Sequence, residues 1–237
     1  MTEPEPTKPI ERAMVIFAHP DDAEFGSAGS VAKWTAEGVE VTYVVATDGS
    51  KGSNDPEMTG ERLSEMRYTE QREAARILGV KHVEFLGFED SVLEPTIELR
   101  KAITGAIRRY KPDICIVQSP VRSLDVSAFI QHPDHVACAN AALAAIYPCA
   151  RDRLTFPELM REGLEPHTVT EVWVVGTGGA DHWVDISSTI EAKVAALKAH
   201  HSQVGNRPVE EFVPDRARSV AEGRDMEYAE AFRRITL

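Results

Sequence analysis

From residue 13 to residue 18 the chain reads Ala-Met-Val-Ile-Phe-Ala, and the next four residues are His19, Pro20, Asp21 and Asp22. A short run that is apolar on both faces suits a central parallel strand covered by helices on either side. The polar residues then fall at the carboxyl end of that strand, which is where ligands bind in open α/β sheets. One reading is a metal or proton-transfer site. The other is a surface turn, because Pro and Asp favour turns after any strand.

The remaining chain repeats the alternation. Residues 24–37 predict a helix stopped by Gly38, and Gly26 and Gly29 do not complete a G-x-G-x-x-G dinucleotide fingerprint. Residues 39–46 are rich in β-branched side chains and predict a second strand, followed by the polar loop 47–56. Residues 59–78 carry Leu63, Met66, Ala74, Ile77 and Leu78 at helical spacing, with Gly79 as C-cap. Arg67, Glu70 and Glu73 lie on that helix, where i,i+3 spacing reads as local ion pairing. A third strand over 83–86, a helix from Pro95 to about 110 and a fourth strand over 113–118 follow. After a polar loop, 119–131, His132-Pro133-Asp134-His135 opens an Ala-rich helix to about Tyr147. Residues 151–170 are irregular, 171–176 and 183–186 are strand candidates, and Ser187 to Thr189 cap a helix to about His200. The tail beyond Pro208 reads as helical pieces, with Glu210, Glu211, Arg216, Arg218, Arg224 and Arg234 on a solvated face. The pattern predicts an α/β protein, a Rossmann-like three-layer α/β/α sandwich with a mostly parallel sheet. Residues 1–12 read as a loose leader and 13–237 as a single domain.

Charge narrows the partners. With 26 Lys and Arg against 38 Asp and Glu, the formal net charge is −12, which disfavours nucleic acid and anionic membrane surfaces. Cys115, Cys138 and Cys149 are widely spaced, form no C-x-x-C pair and read as reduced packing residues. No apolar run has membrane-span length, and the Pro-rich first ten residues lack the apolar core of a secretory signal. A cytoplasmic protein is expected, and a homo-oligomer is compatible with the chain.

In a parallel sheet, His19-x-Asp21-Asp22 and His132-x-Asp134-His135 emerge at the same edge. A catalytic zinc takes three protein ligands from His, Asp or Glu and keeps a position for water. His19, Asp22 and His135 meet that need. Adjacent side chains of an extended segment diverge, so Asp21 is left to take a proton from a water whose pKa the metal brings near about 7. His132 stands across the site, for the oxyanion or the leaving amine, with Asp134 as its orienting partner. Without a metal, Asp134 reads simply as a helix cap. His82, His167, His182 and His201 have no such context and read as packing or surface residues.

At these residues the sequence resembles the LmbE-like (PIG-L) deacetylase family, zinc-dependent enzymes that remove N-acetyl groups from glucosamine-containing substrates. The resemblance runs through Ala18 to Asp22, Thr47-Asp48-Gly49, Arg67-x-x-Glu70, Leu86 to Asp90, His132 to His135, Asp185-Ile186-Ser187, Lys193-x-Ala195-Ala196-Leu197 and His200-x-Ser202-Gln203. It implies His19, Asp22 and His135 as metal ligands, Asp21 as general base, His132 for the tetrahedral intermediate, Arg67 for polar groups of the substrate and Asp90 for a sugar hydroxyl. The expected partner is a small amino-sugar substrate. The tail beyond Gly205 matches none of these motifs.

The leading expectation is therefore hydrolysis of the acetamide of an N-acetylglucosaminyl compound through a metal-activated water. The nearest rival is an amidase of the same family that cleaves a larger amide, such as a thiol-conjugate of a glucosaminyl pseudodisaccharide. Two His and one carboxylate also hold ferrous iron, either as the working ion or in an oxygenase. The Rossmann-like pattern and the spare Asp21 argue against the oxygenase. A non-catalytic sugar-binding module is the third alternative.

Overall fold

A computed structural model describes residues 9–122, 130–176 and 179–237. In chain order the elements are β1 (Arg12–Phe17), α1 (Asp22–Ala36), β2 (Glu40–Thr47), α2 (Gly60–Ile77), β3 (His82–Phe88), α3 (Ile97–Tyr110), β4 (Ile114–Gln118) and α4 (Pro133–Ala144). A wide turn over Ala145–Cys149 precedes α5 (Pro157–Arg161), β5 (Glu171–Val175), β6 (His182–Asp185), α6 (Ile190–Lys198), α7 (His201–Val204), α8 (Val209–Ala221) and β7 (Ala229–Thr236). Of the expected leader, residues 1–8 lie outside the described residues, and Arg12 already belongs to β1. Residues 123–129 of the expected polar loop 119–131 also lie outside them.

One sheet collects all seven strands in the order β3-β2-β1-β4-β5-β7-β6. The pairs β1–β2, β2–β3, β1–β4 and β4–β5 are parallel, whereas β7 runs antiparallel to both β5 and β6. The expected α/β sandwich is what forms. Alternation along β1 makes its layers: Met14, Ile16 and Ala18 pack with Ile103, Ile107, Cys138 and Ala142 of α3 and α4. Ala13, Val15 and Phe17 pack on the other face with Val31 and Trp34 of α1, Ala74 of α2 and Ala196 of α6. Every β1 residue from Ala13 to Phe17 is at most 3% exposed. The three cysteines are buried and unpaired. Among the described residues no helix is long and apolar enough to cross a membrane.

Strand order positions the site. From β1 the chain moves outward through β2 and β3, then returns to place β4 on the other side of β1. The crevice of a doubly wound sheet opens where strand order reverses in this way, between the carboxyl ends of β1 and β4. His19 follows the first of these strands, and the segment leading to His132 follows the second.

Two expectations are corrected. The tail is helical only through Ala221; its last segment is β7, inserted between β5 and β6. The charge of Arg234, which read as part of a solvated face, reaches Glu171 on β5, and its neighbour Arg233 reaches Asp181. The helix expected to run to Tyr147 ends at Ala144, and Pro148 sits in the wide turn that follows. Buried Arg108 holds the chain after this turn by donating to the carbonyls of Cys149, Ala150, Asp152 and Thr155.

Candidate active site

The site begins where β1 is sewn to its neighbours. The Ala18 N–H donates to Gln118 Oε1 at the end of β4 (3.1 Å), and the Ala18 carbonyl accepts from the N–H and Oγ1 of Thr47 at the end of β2 (2.8 and 2.9 Å). His19 is buried (7% exposed), and its main-chain N–H donates to Asp22 Oδ2 at 2.8 Å. The chain then turns through Asp21, which has φ 97° and ψ −26° and sits at the N-cap of α1. A left-handed conformation in a residue with a Cβ is sterically costly and clusters at functional sites.

Three candidate ligand side chains meet there. His19 Nδ1 lies 3.2 Å from His135 Nε2 and 3.3 Å from Asp22 Oδ2, and His135 Nε2 lies 3.1 Å from Asp22 Oδ1. Donors about 2.1 Å from a shared tetrahedral ion stand about 3.4 Å from each other, so the triangle is of the size zinc needs. The donor set, two imidazoles and one carboxylate, fits zinc or ferrous iron. Burial opposes ionisation of Asp22, but His135 and His19 outweigh it and hold the carboxyl well below its ordinary range. Asp21 behaves oppositely. Burial, and then repulsion from Asp22, push its carboxyl up to about 7, with Arg67 Nη2 3.5 Å away opposing the rise.

The far nitrogen of His19 is held as firmly as the near one. Nε2 lies 3.1 Å from Asp90 Oδ1 and 3.2 Å from Asp134 Oδ2. Carboxylates behind a ligating imidazole fix its ring orientation and raise its basicity. Burial disfavours the His19 cation, yet the hydrogen bonds to Asp134, Asp22 and Asp90 raise its pKa well above the ordinary value. Asp134, fully buried in the first turn of α4, also accepts from the Ser91 N–H (2.7 Å) and the Leu93 N–H (3.2 Å). The expectation that it orients His132 is corrected: Asp134 Oδ1 is 3.8 Å from His132 Nδ1, beyond hydrogen-bond reach, and its nearer imidazole is His19. His132 is held by the backbone instead. Its Nδ1 accepts from the Asp134 N–H at 3.2 Å, so the neutral ring carries its proton on Nε2. Burial, followed by the neighbouring charge of His19, lowers the His132 pKa and favours that neutral form.

Residues 14–146, which contain both His/Asp clusters, match the family PIG-L, described as GlcNAc-PI de-N-acetylase. The chain belongs to the PIG-L family. A diacetylchitobiose deacetylase from Thermococcus kodakarensis is 34% identical over 199 residues, covering 84% of this chain and 72% of that protein. A probable N-acetyl-alpha-D-glucosaminyl L-malate deacetylase from Bacillus anthracis is 29% identical, covering 83% of each. Among solved structures, N,N'-diacetylchitobiose deacetylase from Pyrococcus horikoshii, complexed with an inhibitor, matches with a TM-score of 0.88 at 29% identity. It covers 96% of this chain and 84% of that one.

A cavity of about 230 Å³ is lined by His19, Asp21, Arg67, Asp90 and His132, by Lys51, Gly52 and Ser91, which motif reading missed, and by Gln203, which closes the His200-x-Ser202-Gln203 motif without an assigned role. Arg67 corrects the ion-pair reading. It is 4% exposed and donates from Nη2 to the Pro20 carbonyl (2.6 Å) and from Nη1 to the Gly49 carbonyl (3.0 Å). Its expected partner Glu70 accepts from the N–H and hydroxyl of Ser202 instead. Gly49 is required, since its φ is +66° and a Cβ there would stand 2.9 Å from the Arg67 guanidinium. Asp90 lines the cavity, but Oδ1 faces His19 and Oδ2 accepts from the Lys51 N–H at 3.0 Å. The signal for the missed residues lay in the long polar loop 47–56 and in the buried stripe of α2, where Arg67 and Gln71 stand among Leu63, Ala74 and Ala75.

Proposed function

We propose that the protein is a metal-dependent hydrolase that removes the acetyl group from the amide nitrogen of an N-acetylglucosaminyl small molecule. The observation that carries this reading is the triangle of His19 Nδ1, Asp22 and His135 Nε2 with a further carboxylate, Asp21, on the adjoining cavity. Relatives named as deacetylases of acetylated amino sugars support the substrate class. His19, Asp22 and His135 are the proposed ligands. A zinc ion there, or ferrous iron in its place, would supply a Lewis acid for the amide carbonyl and a water acidic enough to lose its proton near neutral pH.

Asp21 accepts that proton as the water oxygen adds to the amide carbon. The Nε2–H of His132 faces the charge that develops on the carbonyl oxygen. The proton held by Asp21 then passes to the amide nitrogen, the C–N bond breaks, and acetate and an amine leave. Asp90 and Asp134 act behind His19, and Arg67 shapes the wall around Asp21 while offering its charge to polar groups of the substrate. The cytoplasm is the proposed compartment, in keeping with three buried, unpaired cysteines.

Metal analysis of the purified protein, combined with acetate release from a series of N-acetylglucosaminyl compounds, tests the reading. Stoichiometric metal and equimolar acetate and amine are expected. Release of a longer carboxylate in preference to acetate would move the assignment to an amidase, and no amine from any glucosaminyl amide would defeat both.

A further inference from the structure

We propose that Gln71 is a positioning residue for Asp21; the inference rests on the reading of Asp21 as the base. The left-handed turn at Asp21 aims the carboxylate into the cavity, and something must outweigh its steric penalty. Two side chains one helical turn apart on α2 do so by gripping the same peptide unit. Arg67 Nη2 donates to the Pro20 carbonyl at 2.6 Å, and the Asp21 N–H of that peptide donates to Gln71 Oε1 at 2.9 Å. With both polar ends held, the peptide plane cannot rotate, and the φ of Asp21 is set by it.

The orientation of the Gln71 amide is itself determined. Nε2 donates to Glu24 Oε1 at 3.0 Å, and because a carboxylate only accepts, the NH2 must face Glu24 and the carbonyl must face Asp21. The other oxygen of Glu24 is held by His200 Nε2 at 3.0 Å. Gln71, Glu24 and His200 are all 0% exposed, so no water competes for these partners from bulk solvent. None of the three lines the cavity. A buried polar chain thus runs from His200 through Glu24 and Gln71 to one main-chain amide, that of Asp21.

The test uses Gln71→Met and Gln71→Leu, which remove the acceptor while keeping bulk, so that one variant serves if the other does not fold. Turnover (kcat), KM, bound metal per chain and Tm are measured for each. The expected result is a tenfold or greater fall in kcat, KM within twofold of wild type and unchanged metal. The decisive measurement is the same substitution in an Asp21→Asn background. With the carboxylate gone its posture no longer matters, and residual kcat should change by less than twofold. An equal fold-loss in both backgrounds, loss of metal, or wild-type kcat in the single variants would each overturn the positioning role. Asp21→Asn alone separates this from the parent reading: full activity there removes the base itself, whereas an impaired Asp21→Asn beside a normal Gln71→Met removes only the role of Gln71.

Discussion

Buried charge occurs on both sides of β4, and the two regions use it differently. On the β5–β7–β6 side, Glu230 accepts from the Gly29 N–H, the Ser30 N–H and hydroxyl, and Lys193 Nζ, which also donates to the Phe25 carbonyl. Each charge there has an opposite charge and enough hydrogen bonds to replace water. At the β1/β4 edge, Asp21, Asp22, Asp90 and Asp134 crowd around His19, with the Arg67 guanidinium 3.5 Å from Asp21 and 3.9 Å from Asp90. Burying unmatched carboxylates is expensive unless a cation joins them. The closed pair satisfies its own charges, whereas the open cluster has carboxylates to spare for a cation.

Removal of a ligand from the open cluster should have the largest effect. His135→Ala is expected to lose both bound metal and acetate release, with metal content by elemental analysis as the check. Asp21→Ala should keep its metal and lose about 10²- to 10⁴-fold in kcat, the range of general acid–base catalysis. If Asp21→Ala matched wild type, the division of labour between Asp21 and Asp22 would be wrong. In the closed pair, Glu230→Ala leaves the Lys193 ammonium unpaired and should destabilise the fold by about 3–5 kcal/mol, as read by urea unfolding, while bound metal per folded chain stays constant. Metal loss in Glu230→Ala at full folding would erase the contrast between the two regions.

How much of that contrast was legible in the sequence depended on spacing. His19 and Asp22 lie within five residues of the end of β1, and His132 and His135 open α4, the helix that follows β4, so strand order brings both clusters to one edge. Spacing alone did not mark Arg67 as a site residue, because i,i+3 charges on a helix look alike whether they face water or the interior; the family resemblance did mark it, whereas uncharged Gln71 had neither signal. Only the buried stripe of α2 separates those cases. The partner of Asp134 was misassigned for a similar reason: neighbours in sequence suggested His132, while the approach of Ser91 and Leu93 turns the carboxylate toward His19. The closed pair was invisible, since Lys193 and Glu230 are 37 residues apart on a helix and on a strand that read as helix.

A finer test of the closed side uses pH. Glu171 on β5 accepts from Arg234 Nη2 (2.5 Å) and Nε (2.9 Å) and from the Trp173 indole N–H (3.0 Å). Burial opposes its ionisation, but Arg234 and Trp173 outweigh this and lower its pKa from the ordinary 4.5. A carboxyl whose folded value lies below its unfolded value stabilises the fold above the unfolded value and loses that contribution as pH falls through the folded one. Glu171→Gln should therefore have a lower Tm than wild type at pH 7, and the gap should narrow as pH drops below about 4.5. Metal content and kcat at pH 7 should be unchanged, because Glu171 touches nothing in the cavity. A Tm gap constant from pH 7 to pH 3 would mean that packing, rather than the charge pair with Arg234, is what Glu171 contributes.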